Sequence, residues 1–211
     1  MYALVRKAKL ALPGAAEEAA RRVRGGAVPL LRAQPGFRLH LGLISEACEA
    51  VGVTLFDGRA AAQVALERVL AWAAANMRDL TPGEPEVRGG EVLDQRVPAP
   101  GFGDGAEEAL FVLLREYTGV GPSDEAVPLL REHALPAMER QPGLRGFFAF
   151  RDERVPRHIV SVSLWPNRSA AMAVHQRVLE AMAALRDVFP APPRVTAGPA
   201  RVVAAAASQV A

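Results

Sequence analysis

The residues of this chain best suited to acid–base or anion chemistry are His40, Arg38 and Arg145. Around them, aromatic and hydroxyl side chains recur two positions apart. Thr54 and Phe56 stand in one segment, Ser161, Ser163 and Trp165 in another, and Phe147 follows Arg145 by two. That spacing is one face of a β-strand. Aromatic, hydroxyl and a few charged groups together are the usual lining of a small-molecule site. Thr54, Phe56, Phe147, Ser161 and Ser163 contact the substrate. A plainer reading competes at each position: Arg38 and Arg145 as rim ion pairs, His40 as an ordinary polar residue, Trp165 as core.

Other chemistries find no residues. There is no His or Cys spacing for zinc, no Gly-rich loop between a strand and a helix, no Walker loop and no nucleophile elbow. No cofactor and no metal are expected. Cys48 is the single cysteine, which excludes an intramolecular disulfide and points to a reducing, cytoplasmic setting. The net charge is +2, and arginines are scattered among acids without a basic stripe, so nucleic acid is not an expected partner. No stretch of about 18 apolar residues reads as a membrane span, and the first seven residues do not read as a signal peptide.

The elements that position these residues come in two copies. Residues 27–38 read AVPLLRAQPGFR and residues 134–145 read ALPAMERQPGLR. Residues 59–76 match 168–185, residues 2–6 match 111–115, and residues 85–87 match 193–195, at nearly constant offset. This divides the chain into repeat one (1–94), a Pro- and Gly-rich linker (95–107) and repeat two (108–211). Each repeat reads strand, helix, strand, strand, helix, strand. The first helix carries Pro29 or Pro136 and should bend there. Pro35-Gly36 and Pro142-Gly143 then end it. The order βαββαβ is the ferredoxin-like arrangement, an antiparallel sheet with both helices on one face. The open faces of two such sheets can cover each other. The expected fold is α+β: two ferredoxin-like repeats forming a pseudo-dimeric α+β barrel, with further homo-oligomers also compatible.

Residues 31–38 (LRAQPGFR) and 162–171 (VSLWPNRSAA) resemble the antibiotic biosynthesis monooxygenase family of the dimeric α+β barrel superfamily. The resemblance covers nearly the whole chain as two copies. It implies a cofactor-independent monooxygenase acting on a small phenol- or quinol-type aromatic, with His40 as the base that takes the phenolic proton, Arg38 or Arg145 as the cation near the anion and Trp165 as the wall. The superfamily also holds proteins of other or no known activity, so a non-catalytic small-molecule binder or a structural protein is the alternative. Its haem-degrading members use an Asn on the first strand. Here the first strands offer Lys7, Lys9, Arg115 and Glu116, so haem degradation is not expected.

Strand alternation then sorts faces. The wholly apolar set Val51, Val53, Leu55, Val160, Val162 and Leu164 is expected under the helices, with Phe37, Leu39, Leu41 and Leu43. Thr54, Phe56, Ser161, Ser163 and Trp165 are expected inside the barrel, with Arg38, His40, Arg145 and Phe147. Arg6, Arg115 and Tyr117 do not sort. His158 reads as exposed, His175 as a packing residue beside a helix stripe and Trp72 as core.

Overall fold

A computed structural model describes residues 1–96 and 110–206. The strands are β1 (Tyr2–Lys9), β2 (Phe37–Ile44), β3 (Glu49–Phe56), β4 (Glu86–Arg96), β5 (Phe111–Thr118), β6 (Gly146–Arg151), β7 (His158–Trp165) and β8 (Arg194–Ala205). The helices are α1 (Ala16–Arg22), α2 (Val28–Arg32), α3 (Arg59–Asn76), α4 (Ser123–Leu129), α5 (Leu135–Glu139) and α6 (Arg168–Met182). β4 runs into the start of the expected linker, and residues 97–107 of that linker lie outside the described residues.

The expected bend takes one form in both halves. α1 and α2 are joined by a wide turn, Val23–Ala27, across which the Val28 N–H donates to the Val23 carbonyl. α4 and α5 are joined the same way through Leu130–Ala134. Pro29 and Pro136 follow directly. A proline has no N–H to continue the ladder, and the widened turn takes up the misfit.

All eight strands close into one antiparallel barrel in the order β1-β3-β2-β8-β5-β7-β6-β4. The long last strand of each half joins the halves. β4 pairs with β1 through residues 86–91 and with β6 through residues 92–96. β8 pairs with β5 through residues 194–199 and with β2 through residues 200–205. The crossing points carry Gly90 and Gly198. A Cβ at Gly90 would overlap the carbonyl oxygen of Arg151, the last residue of β6, and one at Gly198 would overlap that of Ile44, the last residue of β2. Backbone meets backbone there, so no side chain can yield.

The barrel interior is one apolar cluster drawn from both halves, including Val5, Leu41, Val53, Leu55, Leu114, Phe148, Phe150, Val162 and Leu164. The helices cover the outer faces in two further clusters, one per half. This reverses the expected faces. The wholly apolar strand positions fill the barrel, and Thr54, Phe56, Phe147, Ser161, Ser163 and Trp165 lie on the helix side. A closed barrel has no opening through which water can solvate a polar group, so its interior takes the drier set. Of the four β2 residues expected under the helices, Phe37 alone is packed there. A register shift between Phe37 and Leu39 puts it edge-on to Phe56, ring centres 5.9 Å apart.

One end of the barrel interior is polar. Lys7 donates to Glu116 and, at 3.2 Å, to Thr196 Oγ1, all three being buried. Lys7 and Glu116 occupy the same place in the two halves: Lys7 pairs with Val51 and Glu86, Glu116 with Val160 and Arg194. Equivalent residues that touch must lie at the pseudo-twofold axis. Two identical copies would put like charges there; here one lysine meets one glutamate. His158 is buried beside them, its ring nitrogens 3.9 Å from Glu116 and Asp152, and is not exposed as expected.

Gly90→Ala and Gly198→Ala should each destabilise the protein by about 2–3 kcal/mol or more in urea unfolding, as overpacking against rigid backbone does. Wild-type stability in both would contradict the crossing geometry.

Candidate functional site

The helix side of the first half contains a cavity of about 720 Å³, open at one end. Its floor is the outer face of β1, β3 and β2. Arg6, Gly52 and Gly42 share one rung of this sheet, and Leu4, Thr54 and His40 the next. Two glycines in a row leave the floor bare beside Arg6. A Cβ on Gly52 would sit 3.1 Å from Arg6 Nη2 and 3.4 Å from His40 Cε1, so guanidinium and imidazole both lean over the same empty position. α1, the Val23–Ala27 turn and α3 roof the space. Trp72 of α3 forms part of the wall and packs on Gly26, where a Cβ would meet its ring at 2.5 Å. Residues 77–85 and Arg201 edge the mouth.

His40 is buried. Its Nδ1 lies 3.0 Å from Thr54 Oγ1, and its Nε2 has no hydrogen-bond partner among the described residues. Burial, then the charge of Arg6, pushes its pKa down to about 3, so the ring is neutral at physiological pH. Burial also lowers Arg6, to about 10, which leaves it charged. No hydrogen bond or ion pair joins Arg6 to a described residue. Among the described residues Glu84 is the one carboxylate in the cavity lining, and it is exposed at the mouth.

The equivalent space in the second half is filled, with a void of only about 20 Å³. Tyr117 stands where the first half has Ala8, Ala149 where it has Gly42, Ser161 where it has Gly52, and Phe147 where it has His40. Tyr117 packs edge-on against Phe189, ring centres 5.6 Å apart. Arg115, the counterpart of Arg6, is buried and donates to protein from two nitrogens, Nε to His175 Nδ1 at 3.2 Å and Nη1 to Ser163 Oγ at 3.3 Å, while its Nη2 has no hydrogen-bond partner among the described residues. Trp165 Nε1 donates to the same Ser163 oxygen at 3.0 Å.

The candidate residues therefore do not form one group. His40 and Thr54 meet at the cavity. Phe56 is packed in the first-half core against Phe37. Phe147, Ser161, Ser163 and Trp165 belong to the filled second half. Arg38 and Arg145 are exposed and line neither space. Arg38 Nε donates to Asp57 at 2.5 Å, and the Arg145 N–H donates to the Leu164 carbonyl before β6 begins. The expected inward cations are thus surface groups, because Arg38 sits at the β2 irregularity and Arg145 precedes its strand. The cation in the cavity is Arg6. Its sequence signal was the Arg6–Arg115 match between the repeats. Trp72, expected as core, is half-buried at the cavity wall.

No protein-family model matches the chain, and no curated protein matches it. Solved structures do. A candidate monooxygenase from Fusobacterium nucleatum superposes with a TM-score of 0.75 over 97% of this chain and 94% of that one, at 9% identity. A candidate monooxygenase from Lactobacillus acidophilus gives 0.70 over 98% and 96%, at 10% identity. An anthrone oxidase-like protein gives 0.61 over 100% and 95%, at 12% identity. At such identities the likeness is one of fold. The chain has the dimeric α+β barrel fold expected from its resemblance to antibiotic biosynthesis monooxygenases, with two halves of one chain in place of two subunits. Among the described residues no helix is long and apolar enough to cross a membrane.

His40 has a consequence for stability. Between pH 6.5 and about 3 the unfolded chain binds a proton that the native ring refuses, so stability falls as pH drops through that window. His40→Phe, the second half's residue, removes this contribution. Urea unfolding of the variant should lose about 2 kcal/mol less than the parent between pH 7.5 and 5. An equal loss would place His40 in contact with water.

Proposed function

We propose that the first-half cavity binds a small phenol- or quinol-type aromatic and supports its oxidation by dioxygen without a cofactor. The observation that carries the reading is the pairing of a charged Arg6 that has no carboxylate with a neutral His40 whose Nε2 has no partner, both over a bare strand floor in a largely apolar space. Ligand sites have this character: apolar walls and a few convergent polar groups. The fold is shared with proteins described as candidate monooxygenases and as anthrone oxidase-like.

The chemistry suits these groups. A phenol with hydrogen at its para carbon reacts with dioxygen to give a quinone and water. One oxygen atom becomes the new carbonyl, the other leaves as water, and the substrate supplies all four electrons. The reaction needs the electron-rich phenolate. Arg6 stabilises that anion where water is largely excluded. His40 Nε2 faces the hydroxyl and Thr54 fixes the ring that carries it. Trp72 supplies an aromatic wall. The second half contributes its β8 strand to the cavity edge through Arg201 and Val202 and otherwise acts as scaffold. In this reading the tandem arrangement of repeats lets one half keep an open site while the other fills.

Oxygen consumption with a panel of reduced quinols and polycyclic phenols tests the reading. Uptake is expected, reduced at least ten-fold by Arg6→Met and by His40→Phe, and abolished by Ala8→Tyr, which imports the second half's filler. Absence of uptake across the panel from folded protein would overturn oxidation and leave a binding protein.

A further inference from the structure

The cavity's electrostatics specify more than an aromatic ligand. We propose that it selects planar aromatics that carry an oxyanion, whether an acidic phenol or enol or an aryl carboxylate, and seats that oxyanion on Arg6. This rests on the cavity being the ligand site, but not on any reaction occurring there.

Three observations carry it. First, Arg6 has no hydrogen bond or ion pair to a described residue, although it is half-buried beneath helices. Leaving a charged group without a partner there is costly unless a ligand supplies the counter-charge. Its counterpart Arg115 shows the alternative, because the protein satisfies Nε and Nη1 with His175 and Ser163. The first half has Leu66 and Thr54 at those places, and Thr54 is taken by His40. Second, the rim is cationic. Arg78 and Arg201 are exposed at the mouth with no ion pair to a described residue, against Glu84 as the single acid among the described lining residues. A mouth of one sign concentrates ligands of the other. Third, His40 is a poor proton acceptor for an ordinary phenol. An imidazole held near 3 facing a hydroxyl that titrates near 10 implies a transfer uphill by about seven units. A substrate that arrives already ionised avoids that step. His40 then donates or accepts one hydrogen bond and does not have to become charged.

Calorimetric binding of 2-naphthoate and of its neutral isostere 2-naphthamide at pH 7.5 tests the proposal. The naphthoate should bind at least ten-fold tighter, and raising salt from 50 to 500 mM should narrow the gap. Arg6→Met should remove the preference while amide affinity changes less than three-fold. Equal affinity of the two ligands for the wild-type protein would overturn the proposal without any variant. So would a preference that survives in Arg6→Met or, should that variant not fold, in Arg6→Gln. The oxidation reading fails or stands separately: naphthoate preference with no oxygen uptake on any phenol removes the oxidation and keeps the anion site.

Discussion

The dry interior of a closed eight-stranded barrel is the constraint on which the rest of this structure depends. Once β4 and β8 cross between halves, every strand has two neighbours and the inner face has no route to water. Only apolar side chains can fill it, and polar strand residues are forced onto the helix side or to the barrel end. Among the described residues the buried Lys7 sits at that end and bonds Glu116 and Thr196, with His158 and Asp152 beside them. A gap in packing that opens to solvent can therefore form between sheet and helices.

Whether a gap opens there is decided by a few side-chain volumes. The two halves share their topology, their bent first helix and an arginine at the same strand position. They differ at the sheet floor, where Ala8, Gly42 and Gly52 in one half face Tyr117, Ala149 and Ser161 in the other. Cavities of this size in a packed protein cost stability when nothing fills them. The second half removes that cost and gives its arginine protein partners. The first half keeps the space and leaves Arg6 and the His40 Nε2 facing it. The Lys7–Glu116 contact belongs to the same divergence, since opposite charges at an axis need two unlike halves.

The fold was legible because its signals are local. Gln-Pro-Gly ends both first helices, Pro29 and Pro136 mark both bends, and strand and helix periods alternate in the same order twice. The faces were not legible, because alternation shows which residues share a side but not which side is the interior. Both faces of this sheet are buried, so the richer apolar set suits either. Arg38 misled because a local register shift breaks the period-two rule at that position. His40 was found by residue type, and Arg6 was not assigned because β1 alternates weakly, with Lys7 drawn inward by a partner 109 positions away. The crossing glycines and the hollow floor depend on contacts between distant strands, which no single segment displays.

The proposed ligand cavity lies in the first half, with Arg6 and His40 at its floor. A crystal structure of the protein soaked with 6-bromo-2-naphthol tests it most directly. The account predicts an anomalous bromine peak between the α3 wall and the β1–β3–β2 floor, with the naphthol oxygen within hydrogen-bond reach of Arg6 or His40 Nε2. A peak in the second half or inside the barrel, or none in the first-half cavity at saturating ligand, would contradict it.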